Sequence, residues 1–70
     1  MNKIWIAMAV DVGDTCDGKP RALGGYNTRD EALEVVKADM RAFEARGVAV
    51  DYARLGCDEC EWSVDSVDLP

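Results

Sequence analysis

Ile4, Ile6, Met8, Val10 and Val12 alternate with Lys3, Trp5, Ala7, Ala9 and Asp11. A period of two predicts a strand with one oily face. Its second face carries Trp5 and two alanines, so it is not strongly polar, and the strand suits a central place in a sheet. Gly13, Asp14, Asp17, Gly18 and Pro20 follow closely. These residues favour tight turns, so residues 13–20 read as a hairpin loop. A short second strand fits Arg21 to Tyr26. Gly24 and Gly25 within it imply a bulge or a close approach of backbones.

The helix has the best-marked boundaries. Thr28 and Glu31 form a T-x-x-E capping box, in which each side chain satisfies a backbone N–H of the first turn. Asp30 and Glu31 also lie at the positive end of the helix dipole. The helix is expected to run to about Arg46 and to stop at Gly47, a natural terminator. Leu33, Val36, Met40 and Phe43 recur at three- and four-residue steps and form the apolar stripe, with Ala32 and Val35 beside it. Glu34, Lys37, Arg41 and Glu44 fall on the solvated side.

Val48, Val50 and Tyr52 alternate again and predict a third strand to about Leu55. Gly56-Cys57-Asp58-Glu59-Cys60 reads as a turn. A fourth strand follows from Glu61 to about Asp68, with Trp62 and Val64 toward the core. Val67 and Leu69 fall on the opposite parity, which implies a bulge near Asp65 or Ser66, or the end of the strand. The expected fold is α+β, with element order ββαββ. A four-stranded antiparallel sheet of order 2-1-3-4 carries one helix, about residues 28–46, on one face. In this arrangement Ile4, Ile6 and Met8 lie under the helix, and Trp5 lies on the open face.

Seventy residues make a single domain, 1–70, with a thin core. Acidic residues number 14 against 8 basic ones, the net charge is −6, and histidine is absent. Ser-His and Cys-His catalysis are therefore excluded, as are histidine metal sites. Direct binding of nucleic acid is disfavoured, because it needs clustered Lys and Arg to neutralise phosphates. The apolar run Ile4–Val10 is followed by Asp11 rather than by a small-residue cleavage site, and it is short of the ~20 residues of a membrane span. Three cysteines are too few and too odd for a disulfide-stapled secreted domain. A reducing cytoplasmic setting with free thiols is the expectation, with no membrane contact.

Cys57-x-x-Cys60, with Cys16 as a third donor, is the one metal-like pattern, but zinc sites commonly show four ligands in two pairs. No metal and no cofactor are expected. No G-x-S-x-G, phosphate loop or dinucleotide fingerprint occurs, and no pair of carboxylates stands out for acid–base work. The chain therefore reads as a non-enzyme.

Charge is distributed unevenly. Arg29–Arg46 carries five acids and four bases, whereas Cys57–Pro70 carries Asp58, Glu59, Glu61, Asp65 and Asp68 with no base. A solvated edge strand explains such a run, because charge there discourages aggregation. A surface shaped for a basic partner explains it equally, because charge of one sign speeds and selects encounters. Asp11 and Asp14 extend the acidic set. Trp5, if exposed beside Ala7 and Ala9, offers a flat anchor of the kind enriched at interface hot spots.

In size, charge and architecture the chain resembles the small acidic single-domain proteins of phages and mobile elements, and the anti-CRISPR inhibitors among them. The resemblance implies a protein that binds a host machine, in some members by imitating DNA before a basic channel. It transfers no site residues. The expected function is thus a non-enzymatic inhibitor, a monomer or homodimer, that sets its acidic surface against a basic protein or ribonucleoprotein complex. One alternative is a metal-binding or redox module built on Cys16, Cys57 and Cys60. Another is a structural domain that dimerises through Trp5, Ala7 and Ala9.

Overall fold

The computed structural model describes residues 2–11 and 20–69. Four elements follow one another: β1 (Lys3–Asp11), β2 (Pro20–Tyr26), α1 (Arg29–Ala45) and β3 (Cys60–Asp68). The sheet is antiparallel with order β2-β1-β3, and α1 packs on one face. The α+β class and the single helix are as expected. The sheet has three strands among the described residues, not four.

The missing strand is the one expected from Val48 to Leu55. Its alternation is genuine, but Asp51 diverts the chain. The Asp51 carboxylate accepts from the backbone N–H of Ala53 (3.0 Å) and of Arg54 (3.2 Å). A short polar side chain of this kind competes with a ladder for backbone donors. Leu55 then adopts φ 54°, in the left-handed region, and Asp51 and Gly56 exchange backbone hydrogen bonds of 2.9 and 3.2 Å. The result is a closed turn. Val50, Tyr52 and Leu55 still pack on the core from it, so the apolar periodicity serves packing without a strand. The place beside β1 goes to β3, in unbroken register from Lys3↔Asp68 to Asp11↔Cys60. No bulge therefore interrupts β3 at Asp65 or Ser66; Val67 falls on the face away from α1, and the strand ends at Asp68, before Leu69.

The bulge lies in β2. The β1/β2 register shifts between Ala7 and Met8, where Ala7 faces Gly24 and Met8 faces Ala22. Gly24 has φ 141°, and a Cβ there would stand 2.6 Å from the Tyr26 hydroxyl. Only glycine meets both demands.

At the helix start the Thr28 hydroxyl oxygen accepts from Glu31 N–H at 3.2 Å. The reciprocal half of the box differs from expectation: the hydroxyl donates to the Glu31 carboxylate at 3.1 Å. The helix stops at Arg46 as its cap, and Gly47 follows with φ 92°. The Arg46 guanidinium lies over the Phe43 ring at 4.3 Å, an attraction between a cation and the negative ring face.

The core is Ala7, Ala9, Ala32, Val36, Met40, Cys60 and Trp62. Trp62 meets Phe43 edge-on, with centroids 5.2 Å apart. Trp5, Leu23, Tyr26 and Val64 pack against this cluster. The orientation of β1 is therefore the reverse of the expected one. Trp5, Ala7 and Ala9 face the helix, and Ile4, Ile6, Met8 and Val10 face away, each half-buried. Bulk explains the inversion. A helix can approach the sheet closely where the central strand carries alanine, and Val36, Met40 and Trp62 fill the remaining space.

Candidate partner-binding surface

The acidic residues are placed by a tight turn and by the pleat of β3. Cys57 N–H donates to Cys60 C=O at 2.8 Å, and this bond lifts Asp58 and Glu59 to an exposed tip. β3 then alternates its side chains. Glu61 and Asp65 face the open side, opposite Val10 and Ile6, and both are exposed. Asp68 falls on the helix side and pairs with Lys3 at 3.8 Å, an exposed pair of small energetic worth. Asp58, Glu59 and Glu61 thus gather at one end of β3, and Asp65 stands about 13 Å further along the strand.

The other expected site residues fare differently. Asp11 points to the helix side, away from Glu61 and Asp65, and lies 3.7 Å from Arg21 Nε. Asp14 lies outside the described residues. Trp5 is packed against the core cluster and offers no platform on the open face. The dimer surface imagined around Trp5, Ala7 and Ala9 is likewise ruled out, because both alanines are fully buried beneath α1.

Comparison with protein-family models, curated proteins and solved structures finds no match. The surface must therefore be read from its own chemistry.

Cys16, the third member of the expected cysteine set, lies outside the described residues. Cys57 is half-buried and Cys60 buried, and both are free thiols. Burial pushes the Cys60 thiol up to about 11, although Arg21 nearby pulls the other way. A thiol that high is a poor nucleophile and a poor metal ligand at neutral pH. Among the described residues, no three His, Cys, Asp or Glu side chains converge to hold a metal ion. No described helix is long and apolar enough to cross a membrane.

Two features escaped the sequence reading. One is a polar clamp across the helix–sheet seam. The Asp39 carboxylate accepts from Trp62 Nε1 at 2.7 Å and from the Arg21 guanidinium at 3.3 Å. Burial opposes the charge on Arg21, but Asp39 and Asp11 outweigh it and raise its pKa further. Asp39 sits on the flank of α1 with Val35, Val36, Ala42 and Phe43 as its helical neighbours, so the local signal was an acid set beside the apolar stripe. The other is the aliphatic row Ile4, Ile6, Met8 and Val10 on the open face. The signal for it was present in the alanines, which mark the side a helix can approach.

Proposed function

We propose that this protein is a non-enzymatic binding protein that presents an acidic surface to a basic partner and blocks it sterically. A nucleic-acid-handling complex of the host, with its basic channel, is the partner class, and an anti-CRISPR-type inhibitor is the concrete form. The observation that carries the reading is the concentration of Asp58, Glu59 and Glu61 on one exposed turn and strand end, with Asp65 further along the same strand. Among the described residues these four make no ion pair, whereas the basic Lys3 and Arg21 are engaged elsewhere. Acids so placed raise encounter rates with a basic surface and select against acidic ones.

The test is capture from a cytoplasmic extract at low salt, with wild type beside a Glu59→Lys, Glu61→Lys variant. Both substituted side chains are exposed, so the variant keeps its helical circular dichroism and its melting midpoint. Wild type retains a nucleic-acid-handling complex that a salt gradient releases, and the variant does not. Equal retention by the two proteins removes the acidic turn from the interface.

A second reading has its own support. The open face carries more aliphatic bulk than expected, so self-association through Ile4, Ile6 and Met8 is the structural alternative.

A further inference from the structure

We propose that the open face of the sheet is a docking surface for a basic amphipathic helix of the partner, laid along β1. The inference rests on the acidic-surface reading for the sign of the partner's charge, and adds the place and mode of contact.

From Ile4 to Val10 every second residue of β1 is a large apolar side chain on the face away from α1. At one end the row widens into Val67, 49% exposed, which pairs with Ile4, and into Leu69, 37% exposed. Along the β3 flank stand Glu61 and Asp65. Along the β2 flank the side chains are small. Ala22 faces Met8, and a Cβ on Gly25 would stand 3.2 Å from Ile4 Cγ2. The face is thus an apolar stripe with an acidic wall on one side and a low shoulder on the other. Among the described residues of the three strands it carries no base, because Lys3 and Arg21 lie on the covered side.

Size and charge select the occupant. The nine residues of β1 span about 30 Å. A helix of that length has about 20 residues. Three strands are about 14 Å across, close to the diameter of one helix. The opposite face already holds one helix, the 17-residue α1. A second copy of the chain fits less well. Each copy brings a net charge of −6, so two acidic walls would oppose one another across such an interface. A basic helix meets the acidic wall with its charges and the stripe with its apolar side, as in other helix-in-groove complexes.

The experiment titrates the ¹⁵N-labelled full chain with a synthetic Leu/Lys peptide of about 20 residues, its leucines on one helical face. A scrambled peptide of identical composition has the same charge but no stripe. The amphipathic peptide is expected to bind with a dissociation constant of roughly 10–100 μM and to shift the amides of β1, Val67 and Leu69. The scrambled peptide should bind at least about tenfold more weakly. A neutral Ile6→Asn, Met8→Asn variant should lose a similar factor, and Val67→Asn, at a half-exposed position, about threefold with the fold intact.

Equal binding of both peptides overturns the proposal, as does affinity undiminished in the neutral variants. If binding is then still lost in Glu59→Lys, Glu61→Lys, the acidic reading stands and only the docking face falls. Failure of both peptides to bind overturns it too. So does a concentration-dependent dimer that Val67→Asn disperses, which would assign the face to a second copy.

Discussion

On one face of β1, Trp5, Ala7 and Ala9 meet the helix; on the other, Ile4, Ile6, Met8 and Val10 meet solvent. Hydrophobicity alone would assign these faces the other way. The covered face is built for close approach. Its alanines are fully buried, and the bulk comes from Val36 and Met40 on α1 and from Trp62 on β3. The open face holds its bulk on the central strand itself, with acids beside it on β3. Small residues thus mark where a protein closes on itself. Large ones flanked by charge make up the face proposed above for a partner.

The largest expected effect separates the two faces by stability. Trp62→Ala removes a nearly buried ring, its edge contact with Phe43 and its bond to Asp39. It should cost about 3–5 kcal/mol of unfolding free energy, enough to unfold a domain this small. Ile6→Ala, on the half-buried open row, should cost about 1 kcal/mol, because less area leaves water there on folding. Urea unfolding followed by circular dichroism measures both. If Ile6→Ala were as costly as Trp62→Ala, the open face would already be packed in the free protein.

How much of this was legible in the chain depends on whether the signal was local. Thr28 and Gly47 bound the helix within a residue or two, because capping is decided by neighbouring backbone groups. Gly24 announced the bulge for the same reason. The strand expected at Val48–Leu55 failed because Asp51 offered the backbone a closer partner than any neighbouring strand. The orientation of β1 was illegible to a rule that sends the oilier face inward, since both faces of that strand are apolar. The acidic turn was visible as composition. Its division by the β3 pleat, with Glu61 and Asp65 on one face and Asp68 on the other, needed the register.

A smaller effect sharpens the comparison at the edge of the covered face. Asp39→Ala leaves Trp62 Nε1 and the Arg21 guanidinium without their shared acceptor. A half-buried donor stranded in this way should cost about 1–3 kcal/mol. Asp39→Asn keeps a carbonyl oxygen for the indole and should cost less. The two variants are compared by thermal unfolding and by Trp fluorescence, which reports water reaching the ring. Equal losses for Ala and Asn would mean that the charge on Arg21, not the hydrogen bond to Trp62, is what Asp39 serves.

The smallest effect concerns the two ends of the CxxC turn, one thiol on the covered face and one beside it. Burial raises the Cys60 thiol from an ordinary 9.0 to about 11. The folded chain therefore holds that proton where the unfolded chain has released it. The unfolded state binds fewer protons between these values, so stability falls as pH rises from about 9 to about 11 and is unaffected by this group below that window. Tyr52 acts in the same direction near its own, higher range, because its hydroxyl donates to Glu44 and the neutral form is favoured. Cys60→Ala should flatten the part of the decline that begins near pH 9 and leave the Tyr52 part in place. Urea midpoints at half-unit steps of pH resolve the two. In a Cys16→Ser background a thiol reagent at pH 8 should modify Cys57 first and Cys60 at least about tenfold more slowly, since the thiolate is the reactive form. Equal rates would mean that the covered face opens on the timescale of the reaction, and the contrast between the two faces would then be one of dynamics as well as of packing.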